Sequence, residues 1–240
     1  MFKKLHLLLL LLNCTCAIAT AQISTKDVAQ LPNAAIYSAS QDDLIKTLAT
    51  SIRFPALAYR ASRVGTVVGV IKFSRSGDIV EIGTLNKAFP EFKKEFERVV
   101  PLIKGKWTAT NDTAQFFYAV IPVQFRVIGV GYALNSDLKP AYFQETIVTS
   151  ASGVSSRKEA MALEQKSAGV YQQMENDLVV QVNTYVEQEN FEEAIKTLEE
   201  LVNLQPLHIA YYQPLISLHE RVGNEQEAAY YREVVRLFAK

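Results

Sequence analysis

The sequence predicts a mixed α+β fold, in which a small sheet with two packed helices is followed by an all-α array of helical hairpins. Two β-branched runs at 66–73 and 79–85 flank a short turn that contains Gly77, which is typical of a β-hairpin. A third apolar run at 116–127 supplies a further strand. From about Ser156 onward, glycine and proline are scarce and apolar residues recur with helical spacing, which predicts the array.

The first residues have the pattern of a secretory signal peptide. A basic start at 1–4 is followed by an apolar run over 5–12 and by small residues at 19–21. The apolar run is too short for a stable membrane-spanning helix, which needs about 20 residues. We therefore expect a signal peptide over 1–21 and a periplasmic or secreted mature chain that begins near Gln22.

Both cysteines of the chain, Cys14 and Cys16, lie inside this leader. Cleavage after Ala21 therefore leaves no cysteine for a disulfide, a thiolate metal site or a nucleophile. The alternative is lipidation, because residues 11–14 (Leu-Leu-Asn-Cys) resemble the lipobox of bacterial lipoproteins, although Asn13 stands where a small residue is usual. In that alternative the protein is an outer-membrane lipoprotein, and only a lipid on Cys14 associates it with a membrane.

The charge balance argues against a nucleic-acid partner. The chain has 25 basic and 25 acidic residues, and loss of the leader, with Lys3 and Lys4, leaves a small acidic excess. Proteins that bind nucleic acids usually carry a clustered basic surface. We therefore expect protein partners and no nucleic acid.

The first half of the mature chain contains recognisable helix signals. Residues 22–39 are small and polar and are interpreted as a lead-in segment. Ser40 precedes Asp43 by three positions, ahead of a helical stripe, which predicts that a helix begins here.

A second amphipathic helix is predicted over 90–103, with an apolar stripe that would cover one face of the hairpin. That stripe comprises Phe92, Phe96, Val99, Val100 and Ile103. In the third strand, Pro122 predicts an edge position or a bulge.

A set of glycine, proline, alanine and aromatic positions runs in a fixed order through 54–127. Its members are Phe54, Pro55, Ala58, Arg60, Ala61, Gly65 to Val68, the turn at 74–77, Trp107, Pro122 and Phe125. The pattern resembles the C-terminal domain family of TonB, the protein that couples inner-membrane energy to outer-membrane transporters. The resemblance implies a domain over 40–130, with a small sheet and two helices on one side, and a sheet edge that could add a partner's strand.

Two departures separate this chain from the energy transducers of that family. The transducers keep an N-terminal membrane helix and a long proline-rich spacer, whereas only a short stretch with few prolines follows the leader here. Thr108-Ala109-Thr110 also follows Trp107 where the family usually has a turn with proline and glycine, and Gly69 interrupts the first strand. We therefore expect the family's fold without energy transduction, and we expect Trp107 to lie in the core.

A second set of residues recurs with a period of 34 positions near the C-terminus. The first unit, over 175–208, is marked by Tyr185, Phe191, Ala194, Leu198 and Pro206, and Ala194 returns as Ala228 in a second unit over 209–240. The pattern resembles tetratricopeptide repeats, in which each unit is a pair of helices and small alanines allow close approach.

The repeat resemblance implies a helical domain over 155–240. It follows a connector over 131–154 that contains one short β-like run, 145–149. Two units are few for independent stability, so we expect a helix over 156–172, or the neighbouring domain, to cover the exposed end.

No set of residues in the sequence predicts catalysis. The two histidines outside the leader, His208 and His219, are eleven positions apart, unlike the spacing of four that places two imidazoles on one helical face. Acidic pairs such as Glu192-Glu193 occupy the solvent side of an amphipathic helix. We expect no catalytic residue, cofactor or metal ion, and we interpret the protein as a non-enzyme.

Four tyrosines in the last unit, Tyr211, Tyr212, Tyr230 and Tyr231, are the candidate partner-binding residues. Tyrosine is enriched at protein interfaces, and helical neighbours point about 100° apart, so one of each adjacent pair is expected to be exposed.

The leading hypothesis is an exported, non-catalytic protein-binding adaptor of the bacterial cell envelope. The alternative is a component of a TonB-dependent outer-membrane transport system that contacts a transporter through 40–130.

Overall fold

A computed structural model describes residues 22–110, 113–127, 140, 142–151, 158–159, 162 and 169–238. The protein is a mixed α+β structure, which confirms the predicted class. The predicted signal peptide over 1–21 lies outside the described residues, as do most of the connector over 131–154 and most of the helix predicted over 156–172.

The first region carries the strands and four of the helices. In chain order its elements are α1 (Thr25–Val28), β1 (Ala35–Tyr37), α2 (Gln41–Ser51), α3 (Ala56–Arg60), β2 (Gly65–Ser74), β3 (Ile79–Thr84), α4 (Pro90–Val99), a 3₁₀ turn (Val100–Ile103), β4 (Trp107–Ala109), β5 (Phe116–Val127) and β6 (Ile147–Ala151). The second region is helical. Its elements are α5 (Val170–Glu187), α6 (Phe191–Leu204), a 3₁₀ turn (Ile209–Tyr211), α7 (Tyr212–Arg221) and α8 (Glu225–Phe238).

A four-stranded sheet with the order β3-β2-β5-β6 forms the centre of the first region. β2 pairs antiparallel with β3 and with β5, which confirms the predicted hairpin and third strand. β6 pairs parallel to β5 and corresponds to the β-like run in the predicted connector. β1 and β4 form a separate antiparallel pair.

The expectation that Pro122 marks an edge or a bulge is wrong, because β5 is a central strand with continuous pairing to β2. Val68 lies opposite Pro122, but its backbone groups point away from β5: its N–H donates to the Asn86 side chain and its carbonyl accepts from the Leu85 N–H. On the other side of β5, the paired register with β6 starts one residue later, at Val123. The missing N–H of Pro122 therefore costs the sheet no hydrogen bond to β2.

One face of the sheet packs against α2 and α4. The α2 helix begins as predicted, with the Asp43 N–H donating to Ser40 Oγ over 3.1 Å. All five apolar residues of the predicted 90–103 stripe are buried in this core. Within it, the Phe92 ring stacks on the Phe125 ring, with 4.3 Å between centroids.

Gly69 sits where α4 approaches the sheet most closely. A Cβ added there would lie 2.0 Å from Cζ of Phe96. The strand runs through Gly69 without a break, so this glycine makes room for a phenyl ring and does not interrupt β2.

Trp107 is buried, as expected, at the end of the same core. Its ring lies 5.2 Å from the Phe73 ring in a stacked geometry and meets the Tyr37 ring edge-on at 5.0 Å. Such aromatic pairs add about 1 kcal/mol to the stability that their burial provides.

The opposite face of the sheet is covered by the helical region. Val68, Val70, Tyr118 and Val120 point from β2 and β5 into a second core, which they share with buried residues of α6, α7 and α8. Because both faces are covered, β5 is apolar along nearly its whole length. The sheet therefore covers part of the helical array, one of the two coverings that the sequence predicts.

The segment interpreted as a lead-in is part of this second core. Ile23, Val28 and Leu31 are buried between the sheet and α8. Lys72 Nζ and the Tyr118 hydroxyl donate to Asp27 Oδ1 over 2.6 and 2.8 Å. Burial opposes ionisation of Asp27, but the hydrogen bonds from Lys72, Ser24 and Tyr118 outweigh it and hold the pKa of Asp27 below its usual range.

The helical region consists of two helix pairs, α5 with α6 and α7 with α8. Ala194 in α6 and Ala228 in α8 are fully buried, which allows the close helix approach that the repeat pattern predicts. The sheet and these helices share one hydrophobic core.

Candidate interaction surfaces

Three of the four candidate tyrosines are buried. Tyr212 donates its hydroxyl proton to the Pro206 carbonyl over 2.6 Å, and Tyr230 donates to the Leu85 carbonyl over 2.8 Å. Tyr231 packs between Tyr212 and Tyr230. The expectation of one exposed ring in each pair is therefore wrong for Tyr230 and Tyr231. The reason is that α8 is enclosed from two directions, by the sheet and by α7.

Tyr211 is half-buried and is the most accessible of the four. Its hydroxyl donates to Glu175 Oε1 in α5, and its ring stacks on His208 with 4.4 Å between centroids. Burial, together with the Glu175 carboxylate, raises the pKa of Tyr211. These contacts join the two helix pairs, and partner binding by the four tyrosines stays a prediction that their burial does not favour.

The outer edge of β3 is the first open surface. β3 lies at one end of the sheet order, and among the described residues it pairs on that side only through a bridge between Gln22 and Thr84. Val80 is exposed along this edge. The outward backbone groups around Val80 can accept another strand, whereas Gly83 further along β3 is buried.

The outer face of α5 is the second open surface. Val179, Val180 and Val186 lie within roughly 120° of one another around the helix and are all exposed. The helix contains three acidic residues and no lysine or arginine. By contrast, the exposed positions of α7 are Gln213, Pro214, Ser217, Glu220 and Arg221. Asn176 and Asn183 are exposed within the same arc, so the α5 face carries three exposed valines among polar side chains, whereas the exposed positions of α7 include no valine.

A buried amide network holds the helical region on the sheet. Asn86 Oδ1 accepts from the Val68 N–H over 2.9 Å, while Asn86 Nδ2 donates to the Thr66 carbonyl over 2.7 Å and to Asn203 Oδ1 over 3.0 Å. Asn86 is fully buried, and Asn203 belongs to α6. One side chain thus extends the β2 backbone bonding and connects it to a helix.

Next to this network, Lys87 forms ion pairs with two helices. Its Nζ lies 2.6 Å from Glu199 Oε1 in α6 and 3.4 Å from Glu227 Oε2 in α8. Burial opposes the charge of Lys87, but the hydrogen bond to Glu199 and the charges of Glu199 and Glu227 outweigh it and raise the pKa of Lys87.

His219 of α7 lies beside these charges and exposes only 3 % of its surface. Neither ring nitrogen has a hydrogen-bond partner among the described residues, and Nε2 lies 3.9 Å from Glu199 Oε1. Burial and the positive charge of Lys87 lower the pKa of His219, and they outweigh the negative charges of Glu199 and Glu227, which raise it. Burial therefore favours the uncharged form of the His219 ring.

Little in the sequence indicated this junction. Asn86 follows a strand in a polar stretch and is not conspicuous there. Asn203 is the one polar residue in the apolar end of α6, and it was the only clue that the sequence offered. From the sequence, His219 is considered only as a metal ligand, for which its spacing from His208 is unsuitable. Only the fold brings Lys87, Glu199 and Glu227 together.

The described part of the chain contains no group of three His, Cys, Asp or Glu side chains arranged to hold a metal ion. Nor does any described helix combine the length and apolar character needed to cross a bilayer. Comparison with known proteins finds no matching family model, no curated relative and no matching solved structure.

Proposed function

We propose that this chain is a non-catalytic, exported protein-binding adaptor of the bacterial cell envelope. It would combine a TonB C-terminal-like module in 40–130 with a tetratricopeptide-like helical domain in 155–240. The observation that carries the proposal is the outer face of α5, where Val179, Val180 and Val186 are open to solvent without a lysine or arginine on the helix. Exposed apolar side chains grouped on one face of a helix are candidates for contact with a protein partner.

The repeat-like part of the proposal is supported by the two helix pairs and their buried alanines. Ala194 and Ala228 are 34 positions apart and occupy equivalent places, in the second helix of each pair. In repeat arrays of this type a partner binds a surface formed by successive helices. The acidic and apolar character of α5 favours a partner segment that is apolar and basic.

Photo-crosslinking at α5 tests the adaptor proposal. A benzoylphenylalanine at position 180 of the exported protein should give a discrete protein adduct, and Val179→Lys in the same chain should remove it. The matched control is position 222, an exposed valine in the turn between α7 and α8. Adducts of equal yield at 180 and 222, or none at 180, would contradict the proposal.

The open edge of β3 favours a second candidate function, contact with a TonB-dependent outer-membrane transporter through the TonB-like module. A transporter segment would add a strand along the open edge around Val80. Val80→Pro should abolish this binding because proline removes one N–H and disturbs the edge, whereas Val80→Thr should retain it. A transporter peptide that binds both variants equally would contradict the proposed contact through the β3 edge.

That experiment requires the chain from residue 22 onward. In a 40–130 fragment the second face of the sheet, with Val68, Val70 and Val120, would lose the helices that cover it. Exposed apolar surface of this kind promotes nonspecific binding. Binding by such a fragment would therefore not be informative.

An intact-mass spectrum of the protein from its native envelope fraction tests the proposed location. A mass that begins at Gln22 supports a periplasmic or secreted adaptor. A lipid on Cys14 supports the alternative of an outer-membrane lipoprotein, and a mass that begins at Met1 contradicts both.

A further inference from the structure

A small patch of exposed side chains projects from α3, in which Leu57 and Tyr59 lie on either side of Arg60. Leu57 is 70 % exposed, the highest value among the exposed large apolar side chains described, and Tyr59 is 42 % exposed. Ala58, between them, is fully buried. Helical neighbours differ by about 100°, so Leu57 and Tyr59 flank the outward direction, and Arg60 points along it.

The segment around this patch is basic. Residues 53–63 contain three arginines, Arg53, Arg60 and Arg63, and no acidic residue, and all three are exposed. Arg63 Nη1 lies 2.7 Å from Glu91 Oε1, yet its side chain stays 48 % exposed. Arg60 forms no ion pair with any described residue. The outward charge of the patch is therefore only partly neutralised.

The patch rests on a rigid base. The Tyr59 ring meets the Phe54 ring edge-on at 6.5 Å, and Phe54 in turn contacts the rings of Phe92 at 5.7 Å and Phe125 at 6.0 Å. Phe92 and Phe125 are fully buried in the first core. This aromatic column fixes the direction in which α3 presents its side chains.

We propose that the α3 patch, formed by Arg53, Leu57, Tyr59, Arg60 and Arg63, binds the surface of an anionic lipid bilayer. A leucine can enter the acyl boundary, a tyrosine suits the headgroup level, and guanidinium groups pair with lipid phosphates. Neither an apolar contact nor a basic patch alone anchors a protein firmly, but the two together bind reversibly.

A bilayer fits this patch better than a folded acidic partner. α3 is a single convex turn, and a rigid partner would need a matching acidic hollow, whereas lipids rearrange around an inserted leucine. The binding is independent of the proposed adaptor function and requires no lipid on Cys14.

Vesicle co-sedimentation of the chain from residue 22 onward tests the proposal. The protein should sediment with phosphatidylcholine vesicles that contain phosphatidylglycerol, and not with phosphatidylcholine alone, and high salt should weaken the binding. Leu57→Asp should lower the partition coefficient about tenfold or more, because it replaces the inserted apolar side chain with a charge. Arg60→Gln should lower it about fivefold, the effect of one basic residue near an anionic surface.

Val222→Asp is the matched control, since it places the same charge at another exposed apolar position and should leave vesicle binding unchanged. Unfolding midpoints of all three variants verify that they fold. The proposal is overturned if both vesicle types bind equally, if neither binds, or if both patch variants keep full binding.

Two further outcomes would also overturn it by assigning the patch elsewhere. Inorganic phosphate that displaces the protein more strongly than chloride at equal ionic strength would indicate a simple anion site. Absence of vesicle binding together with a protein crosslink from position 57 would assign the patch to a protein partner.

Discussion

The two faces of the sheet are buried by different means. One face packs against α2 and α4, which flank the hairpin closely in sequence, and its core is almost wholly apolar. The other face packs against α6, α8 and the N-terminal segment, which are distant in sequence, and its boundary includes the Asn86 network and the Lys87 ion pairs. Local amphipathic patterns suffice for the first face, whereas the second needs polar groups that fix one docking geometry.

Gly69→Ala tests the first face and should have the largest effect. The new methyl group would overlap the Phe96 ring, so we expect the free energy of unfolding to fall by about 3 kcal/mol in urea titrations. Phe96→Leu in the same chain should recover part of the loss. The control is Gly169→Ala, where an added Cβ meets no atom of the described residues within 4 Å and the change should stay within about 0.5 kcal/mol.

Asn86→Ala tests the second face. It removes the acceptor of the buried Val68 N–H, and we expect a loss of about 2 to 3 kcal/mol. Asn203→Ala should cost only about 1 kcal/mol, because Asn86 keeps its two backbone bonds. A double-mutant cycle measures the coupling: the double variant should lose little more than Asn86→Ala, and strictly additive losses would mean that the two amides act separately.

His219 should make the second face sensitive to acid. Its pKa is lowered in the folded protein from a usual value of 6.5, so the unfolded chain binds the proton more readily and stability falls as pH drops below 6.5. One such group changes the free energy of unfolding by at most about 1.4 kcal/mol per pH unit.

Urea titrations from about pH 7 to about pH 5 measure this slope in the range where histidine titrates. His219→Phe, which keeps an aromatic ring against Tyr231, should reduce the slope. An unchanged slope in His219→Phe would show that other groups cause the acid sensitivity.

Tyr230→Phe should have the smallest effect on the second face. It removes the hydrogen bond to the Leu85 carbonyl and keeps the ring, so a loss of about 1 kcal/mol is expected. Tyr59→Phe, at an exposed ring, is the control and should leave thermal stability unchanged. A loss well above that of an ordinary hydrogen bond would mean that Tyr230 also positions α8.

Sequence patterns predicted the first face and missed the second, for a physical reason. Three features of the first face depend on residues close in sequence: the hairpin, the helix start at Ser40 and the stripe from Phe92 to Ile103. Local patterns in the sequence therefore predict them. The burial of both Tyr230 and Tyr231 depends on α8 lying between the sheet and α7, which no helical period encodes. The same holds for the meeting of Asn86 with Asn203 and for the central place of Pro122.

The open surfaces were predicted unevenly. The resemblance implied a sheet edge that could add a partner's strand but not which strand forms it, whereas the structure places β3 at one end of the sheet with Val80 exposed. The α5 valines were part of a recognised helical unit, but their exposure depends on which sides of the helix the rest of the protein covers. The exposure of Leu57 likewise required knowledge of which side of α3 faces the core.

The packing of α1 against α8 has a consequence for how the chain reaches its native state. These are the first and last helices described, and Ile23 and Leu237 belong to one core. A chain that is synthesised from its N-terminus releases α1 first and α8 last. The native neighbours of Ile23 in α8 are therefore made only after almost the whole described sequence. Contacts of such long sequence separation form late and slowly. The second face of the sheet therefore closes only when the last helix arrives, and until then its valines are open to any chaperone that meets the emerging chain.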